Sequence, residues 1–253
     1  MPASKRRQRP FLTARWQHLA MLNYEVPREI LEPLVPHGTT LDLWRGRCFV
    51  SLVGFMFLDT KVLGLPIPFH RNFEELNLRF YVAKTVNGEL RRGVVFIKEL
   101  VPRWAIATVA RTVYGEPYFS CPMRHSIERN QGSEHPCAVS YDWRWKGRWN
   151  RMGVEVTGPP SDLVPGSEEE FITEHYWGYT LVGSSLTREY QVEHPRWRVW
   201  PAKSSFVDAN IEAVYGPEFA RYLSGGATSA FLAEGSAVAV YPHHSNNEKD
   251  SRG

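Results

Sequence analysis

Apolar and polar residues alternate from Phe73 to Val86. Leu76, Leu78, Phe80 and Val82 share one side, and Glu75, Asn77, Arg79 and Tyr81 share the other, the period of two that marks a β-strand. Asn87-Gly88 then supplies a two-residue turn, and Gly93 to Leu100 reads as the returning strand. Thr40–Trp44 and Cys48–Leu58, joined at Arg45-Gly46-Arg47, read as a second hairpin. Further strands are predicted over Tyr118–Glu128, Cys137–Lys146, Trp149–Thr157, Tyr176–Val182, Leu186–Val192, Trp197–Val207 and Ser236–Tyr241.

Three helices fit between them. Pro27 to Val35 has a proline suited to its first turn. Pro102 to Tyr114 keeps Ala105, Ile106, Val109 and Val113 at helical spacing, with Gly115 at the C-terminal cap. Ser167 followed by Glu170 is a capping-box pattern for a short helix. The fold class expected is α+β, β-rich and dominated by antiparallel sheet. Residues 1–10 form a basic arm and 243–253 a polar tail, both with little to bury, and 11–242 make one domain. The proline- and glycine-rich stretch Gly158–Gly166 is short enough to be a loop inside it.

Composition narrows the function classes. With 253 residues, 43% of them apolar and 23% charged, the chain has a globular make-up and wholesale disorder is excluded. The net charge of +3 is local. Lys5, Arg6, Arg7 and Arg9 are four of the 30 basic residues, leaving 26 against 27 acidic ones over the rest. The body is nearly neutral, so the totals show no face for a polyanion. Cys48, Cys121 and Cys137 are odd in number and lack CxxC spacing, which argues against a disulfide framework and suits a reducing cytosol. Pro10-Phe11-Leu12-Thr13-Ala14-Arg15 interrupts any signal-peptide core. The longest apolar run, Cys48–Leu58, falls far short of the ~20 residues of a membrane helix. The expectation is a soluble, cytoplasmic protein with no membrane partner; its oligomeric state is left open.

The motif search is mostly negative. Nine histidines give neither HExxH nor HxH, and no GxSxG, P-loop or GxGxxG is present, so no metal and no cofactor is expected. Tyr141 to Arg151 interleaves bases with aromatics, as a single-strand stacking surface would. It equally describes a half-buried hairpin with Val139, Tyr141, Trp143 and Trp145 on one face and a turn at Gly147, and the hairpin is the favoured reading. The polar side of the Phe73–Val86 strand is more specific. It faces water in an open sheet, but lines a cavity if the sheet curls closed, and buried charges there must be paired or hold a ligand.

Several segments then resemble one known family. Phe73-Glu74-Glu75-Leu76-Asn77-Leu78-Arg79-Phe80-Tyr81-Val82, Gly93-Val94-Val95-Phe96-Ile97, Ala110-Arg111-Thr112-Val113-Tyr114-Gly115-Glu116-Pro117-Tyr118 and Tyr190-Gln191-Val192-Glu193-His194-Pro195-Arg196-Trp197 are similar, in this order, to the uncharacterised YqjF-like family. Leu34-Val35-Pro36 and the hairpin after it join the likeness, which covers roughly residues 11–242. That family is similar in fold to acetoacetate decarboxylase. The resemblance implies a curled antiparallel sheet forming a cone-shaped barrel, with an internal cavity and a few outer helices.

It also implies a site. In acetoacetate decarboxylase a Tyr-x-Glu strand motif precedes Gly-Arg-Glu and then Gly-x-Pro-Lys-Lys, whose lysine forms the Schiff base. Here Phe73-Glu74-Glu75 keeps the carboxylate, Ala110-Arg111-Thr112 keeps the arginine, and Gly115-Glu116-Pro117-Tyr118-Phe119 has Tyr118 and Phe119 where the lysines stand. A phenol forms no imine, so decarboxylation of that type is not expected. Lys98 and Lys84 are the nearest alternative amines, and neither is placed in the cavity by its motif. The site expected is Glu75 and Tyr118 for any proton chemistry, with Arg79, Arg111 and Asn77 holding a small carbonyl- or carboxylate-bearing molecule between walls such as Phe57, Phe96 and Trp104. Whether a reaction follows stays open. The alternatives are an enzyme using Glu75 and Tyr118 as acid and base on a small carbonyl compound, and a nucleic-acid binder using the basic arm and the Trp-rich hairpin.

Overall fold

The computed structural model describes residues 9–67, 70–102, 117–183 and 186–242. Among them the strands are β1 (Leu12–Val26), β2 (Thr40–Leu41), β3 (Cys48–Val62), β4 (Leu65–Pro66), β5 (Phe73–Val86), β6 (Glu89–Val101), β7 (Tyr118–Ser120), β8 (Met123–Arg129), β9 (Pro136–Trp145), β10 (Arg148–Val156), β11 (Trp177–Val182), β12 (Leu186–Glu193), β13 (Val199–Asp208) and β14 (Ser229–Pro242). The helices are α1 (Arg28–Leu31), continued by a 3-10 turn at Glu32–Leu34, then α2 (Glu168–Thr173), α3 (Ile211–Tyr215) and α4 (Pro217–Leu223). The helix expected over Pro102–Tyr114 falls almost wholly outside the described residues.

The sheet closes on itself. Hydrogen-bonded neighbours run β1-β3-β5-β6-β11-β12-β14, and β14 pairs back onto β1 from Leu12↔Val240 to Asn23↔Ser229. Pairing in this ring is antiparallel except between β6 and β11. Closure removes the open edges that a sheet of this size would otherwise expose. From β14 the sheet also continues through β13, β10, β9 and β8, which form a second layer against the outside of the ring.

The alternation in β5 now has a meaning on both sides. Leu76, Leu78, Phe80 and Val82 point outward from the ring into a core shared with Val139, Tyr141, Trp143, Met152 and Val154 of the second layer and with α3 and α4. Each such side chain contributes roughly 1.5–3 kcal/mol by leaving water. Glu75, Asn77, Arg79 and Tyr81 point into the ring, where all four are buried. The ring is thus covered on both faces along β3 as well, whose first ten residues, Cys48 to Phe57, are all buried.

Turn chemistry followed the sequence at two hairpins. Asn87-Gly88 and Lys146-Gly147 both take the left-handed conformation at both positions, with φ of 51° and 80° in the first and 46° and 85° in the second. These are the angles that let a two-residue turn match the twist of its strands. Ser167 caps α2 by accepting the Glu170 amide at 3.1 Å.

Three expectations needed correction. Thr40–Leu41 pairs with β5, not with β3, and only the Trp44–Arg47 bridge survives from the expected hairpin. Tyr118–Glu128 is two strands, because Cys121-Pro122 breaks the ladder: β7 runs parallel to β6, while β8 joins the second layer. Ser236–Tyr241 is only the end of a much longer β14. No helix among the described residues is long and apolar enough to cross a membrane.

Candidate functional site

The ring encloses a cavity of about 110 Å3. One water needs only about 10–15 Å3 of such space, so the hollow is sized for a small organic molecule. Its walls are largely aromatic. Trp16 stands edge-on to Phe55, Phe57 and Trp197, with centroids 5.3, 5.6 and 6.3 Å apart, and Phe57 stacks on Phe73 at 4.7 Å. Phe57 and Phe96 line the cavity as expected, and Trp104 lies outside the described residues.

Glu75 is the centre of the polar wall. It is 3% exposed, and its two oxygens accept from two different residues. The Asn77 amide donates to Oε1 at 3.1 Å, and the Tyr118 hydroxyl donates to Oε2 at 3.2 Å. Strand geometry makes the first contact, since Glu75 and Asn77 are two apart on one face of β5. The parallel pairing of β7 with β6, Glu99 opposite Tyr118, makes the second. Burial pushes the Glu75 carboxyl up to about 7, against the opposing pull of the Asn77 and Tyr118 hydrogen bonds and the Arg79 charge.

Arg79 is buried on the same wall. Its Nη2 donates to the Ile172 carbonyl at 3.4 Å, and its guanidinium lies 5.8 Å from the Tyr81 ring centroid. The structure therefore brings Glu75, Asn77, Arg79 and Tyr118 to one cavity. Arg111, the fifth expected residue, lies outside the described residues. Phe119 points the other way, edge-on to Trp145 at 5.8 Å. Lys98 is on that outer side too, 5.2 Å from the Phe119 ring and 5.0 Å from the Trp145 ring, donating to the Val214 carbonyl. Lys84 pairs with Glu189 at 2.9 Å. Among the described residues lining the cavity there is no lysine, and the undescribed internal segments 68–69, 103–116 and 184–185 contain none in their sequence.

Of the acidic and imidazole side chains lining the cavity, the sequence reading missed Glu99, His175 and His194. Glu99 sits opposite Asn77 across the β5–β6 ladder and is 1% exposed; its odd position on β6, opposite a polar residue already singled out, was the available signal. His175 follows α2 and is buried against Tyr81 and Phe171, with ring centroids 4.7 and 5.2 Å away. Its Nε2 is 3.0 Å from Asp42 Oδ2, which also accepts from Arg92 Nε at 2.7 Å. Burial outweighs the Asp42 contact and lowers the His175 pKa to about 4. His194 stacks on Trp197 at 4.1 Å with its Nδ1 2.9 Å from the Pro195 carbonyl, and burial likewise lowers it to about 4. No local spacing links Asp42 to His175, so only the closed ring reveals that pair.

Buried polar atoms of the cavity lining without a hydrogen-bond partner among the described residues include Trp16 Nε1, Thr60 Oγ1, Asn77 Oδ1, Arg79 Nε and His175 Nδ1. Unmet groups of this kind cost free energy in a dry site, so their presence around the cavity favours a guest with polar groups of its own. Among the described residues no three of His, Cys, Asp or Glu gather as a metal-ligand set.

A family model for uncharacterised conserved proteins, DUF2071, matches residues 13–237. The chain belongs to this DUF2071 family. It is 28% identical over 203 residues to the uncharacterised protein YqjF of Bacillus subtilis (strain 168), covering 79% of this chain and 78% of YqjF. Among solved structures, acetoacetate decarboxylase from Legionella pneumophila superposes with a TM-score of 0.64 at 11% identity, covering 96% of this chain and 90% of that one. An acetoacetate decarboxylase-like enzyme from Sphingomonas wittichii RW1 gives 0.60 at 16%, covering 96% and 94%. The enduracididine biosynthesis enzyme MppR, complexed with pyruvate, gives 0.62 at 14%, covering 96% and 93%. At these identities the likeness is one of fold, and this DUF2071 chain has the acetoacetate decarboxylase-like architecture that its motifs implied.

Proposed function

We propose that this DUF2071 protein binds a small carbonyl- or carboxylate-bearing organic molecule inside the ring. The observation that carries the reading is the wall on which Glu75, Asn77, Arg79 and Tyr118 converge beside buried polar atoms with no partner among the described residues. Arg79 holds the anionic group, Arg111 being a second candidate by the family resemblance alone, and Tyr118 turns its hydroxyl from Glu75 to a carbonyl oxygen. MppR, similar in fold, is known with pyruvate bound, which supports a guest of this size and chemistry here. Tyrosine at 118 and the lack of a lysine among the described lining residues support a reading without Schiff-base decarboxylation.

A second reading is favoured by one contact, the buried Glu75 carboxyl bonded to Tyr118, where burial pushes it up to about 7. A carboxylate poised near neutrality is suited to proton transfer at a carbonyl compound. The nucleic-acid reading draws less support, because Tyr141 and Trp143 of the Trp-rich hairpin are fully buried against the ring. The three cysteines are free, in keeping with a cytoplasmic setting.

Thermal-shift titration with a panel of small organic acids tests the binding reading. Stabilisation by selected acids that is lost in Arg79→Met supports it, and no stabilisation by any acid removes it. Turnover of a carbonyl compound that disappears in Glu75→Gln with the fold intact selects the enzyme reading over simple binding.

A further inference from the structure

His175 is held so that one ring nitrogen is committed and the other is bare. The Asp42 carboxylate can only accept, and burial, which alone would raise its pKa, is outweighed by the hydrogen bonds from His175 and Arg92 that keep it ionised. The hydrogen of the neutral imidazole therefore sits on Nε2, 3.0 Å from Asp42 Oδ2. Nδ1 presents a lone pair that no donor among the described residues meets, and the residue lines the cavity. Asp42 thus fixes the tautomer, as a carboxylate behind a histidine does in many sites.

Arg79 offers the opposite function at the same corner. Its Nη2 is anchored to the Ile172 carbonyl, three residues before His175. Its Nε–H has no acceptor among the described residues. The corner therefore holds a cationic donor needing an acceptor and a neutral acceptor needing a donor. A simple carboxylate or a keto acid meets the first and leaves Nδ1 unmet. An ammonium group meets Nδ1 but is repelled by the neighbouring guanidinium. A hydroxyl next to a carboxylate meets both.

We propose that the cavity selects small 2-hydroxy carboxylates, with the carboxylate on Arg79 and the hydroxyl donating to Nδ1 of His175. This rests on the small-acid reading above and narrows it. The test uses three-carbon acids that differ only at the second carbon: propionate, pyruvate, alanine and both enantiomers of lactate, each titrated calorimetrically into the full chain. One lactate enantiomer is expected to bind about tenfold more tightly than propionate or pyruvate, the ratio that one buried hydrogen bond provides. His175→Phe is expected to erase that preference, bringing the lactate-to-propionate affinity ratio to about one.

A second measurement needs no variant. The Nδ1 resonance of His175 in the nitrogen NMR spectrum of the wild-type protein is expected to move with lactate and not with propionate. Equal affinities, tighter binding of alanine, a preference that survives His175→Phe, or an unmoved Nδ1 resonance each overturn the proposal. Propionate and pyruvate binding without a lactate preference leaves the small-acid reading standing and removes this one. Binding by none of the acids removes both.

Discussion

Glu75 makes the dryness of the cavity measurable. Its carboxyl is raised from an ordinary 4.5 to about 7, with burial the dominant cause. The folded protein therefore holds a proton on Glu75 across a window in which the unfolded chain has released it. Stability from this group is full below about pH 4.5 and is lost as pH rises through about 7. At about 1.4 kcal/mol for each tenfold change, the whole window corresponds to about 3 kcal/mol. Between pH ~5 and ~8 the accessible part is roughly 2–3 kcal/mol. Glu75→Gln keeps the shape and removes the titration. The assay is urea unfolding of wild type and Glu75→Gln at those two pH values, followed by circular dichroism. The variant is expected to gain on the wild type by roughly 2–3 kcal/mol at the higher pH. His175 and His194, both lowered to about 4, act with the opposite sign, since neutral folded histidines add stability as pH rises towards 6.5. They are present in both proteins and cancel in the difference. A wild-type-minus-variant gap that does not change with pH, or that changes in the other direction, refutes a desolvated Glu75 and with it the closed, water-poor wall.

Other expectations follow from single contacts. Ser167→Ala removes the side-chain cap of α2 and is expected to cost about 1 kcal/mol in chemical denaturation, with cavity binding preserved. Gly54→Val is expected to destabilise by roughly 1–3 kcal/mol. A Cβ at residue 54 lies 2.5 Å from Cδ2 of the buried Tyr141 ring, so the ring and the second layer must separate; unchanged stability would contradict that contact. Borohydride treatment in the presence of pyruvate is expected to trap no adduct at Lys98, because that amine sits outside the ring against Phe119 and Trp145. A mass increase mapped to Lys98 would place an amine in the cavity after all.

Legibility in the sequence tracked how local the cause was. The β5 alternation, the Asn87-Gly88 turn and the Ser167–Glu170 cap each depend on neighbours within a few residues, and each emerged as read. The β1 strand was not read. It is bulged between Gln17 and Ala20, with His18 at φ 56°, so its alternation breaks midway; the stretch Leu19 to Tyr24 is buried on both faces. Helices α3 and α4 were missed for a similar reason: at five and seven residues they are too short to build a periodic signal. In the site, Glu75, Asn77, Arg79 and Tyr118 were found, the first three because one strand face carries them and Tyr118 through the family resemblance. Asp42 and His175 are 133 residues apart and meet only because β2 docks on β5 and the chain after α2 joins β6, which is next to β5. No spacing rule reaches that far.

The two functional readings part company over the charge of the guest. An anionic guest on Arg79 places a second negative charge near Glu75 in a low-dielectric hollow, and like charges there favour the protonated carboxyl. Glu75 is then a neutral hydrogen-bond donor, with Tyr118 beside it, and an acid is bound together with a proton. A neutral carbonyl compound adds no such charge. Glu75 then remains free to ionise above about pH 7 and to act as a base. Binding of an acid and proton abstraction from a neutral carbonyl compound thus draw on the same four side chains in opposite protonation states. The charge of the guest, more than its outline, decides which of the two this wall can support.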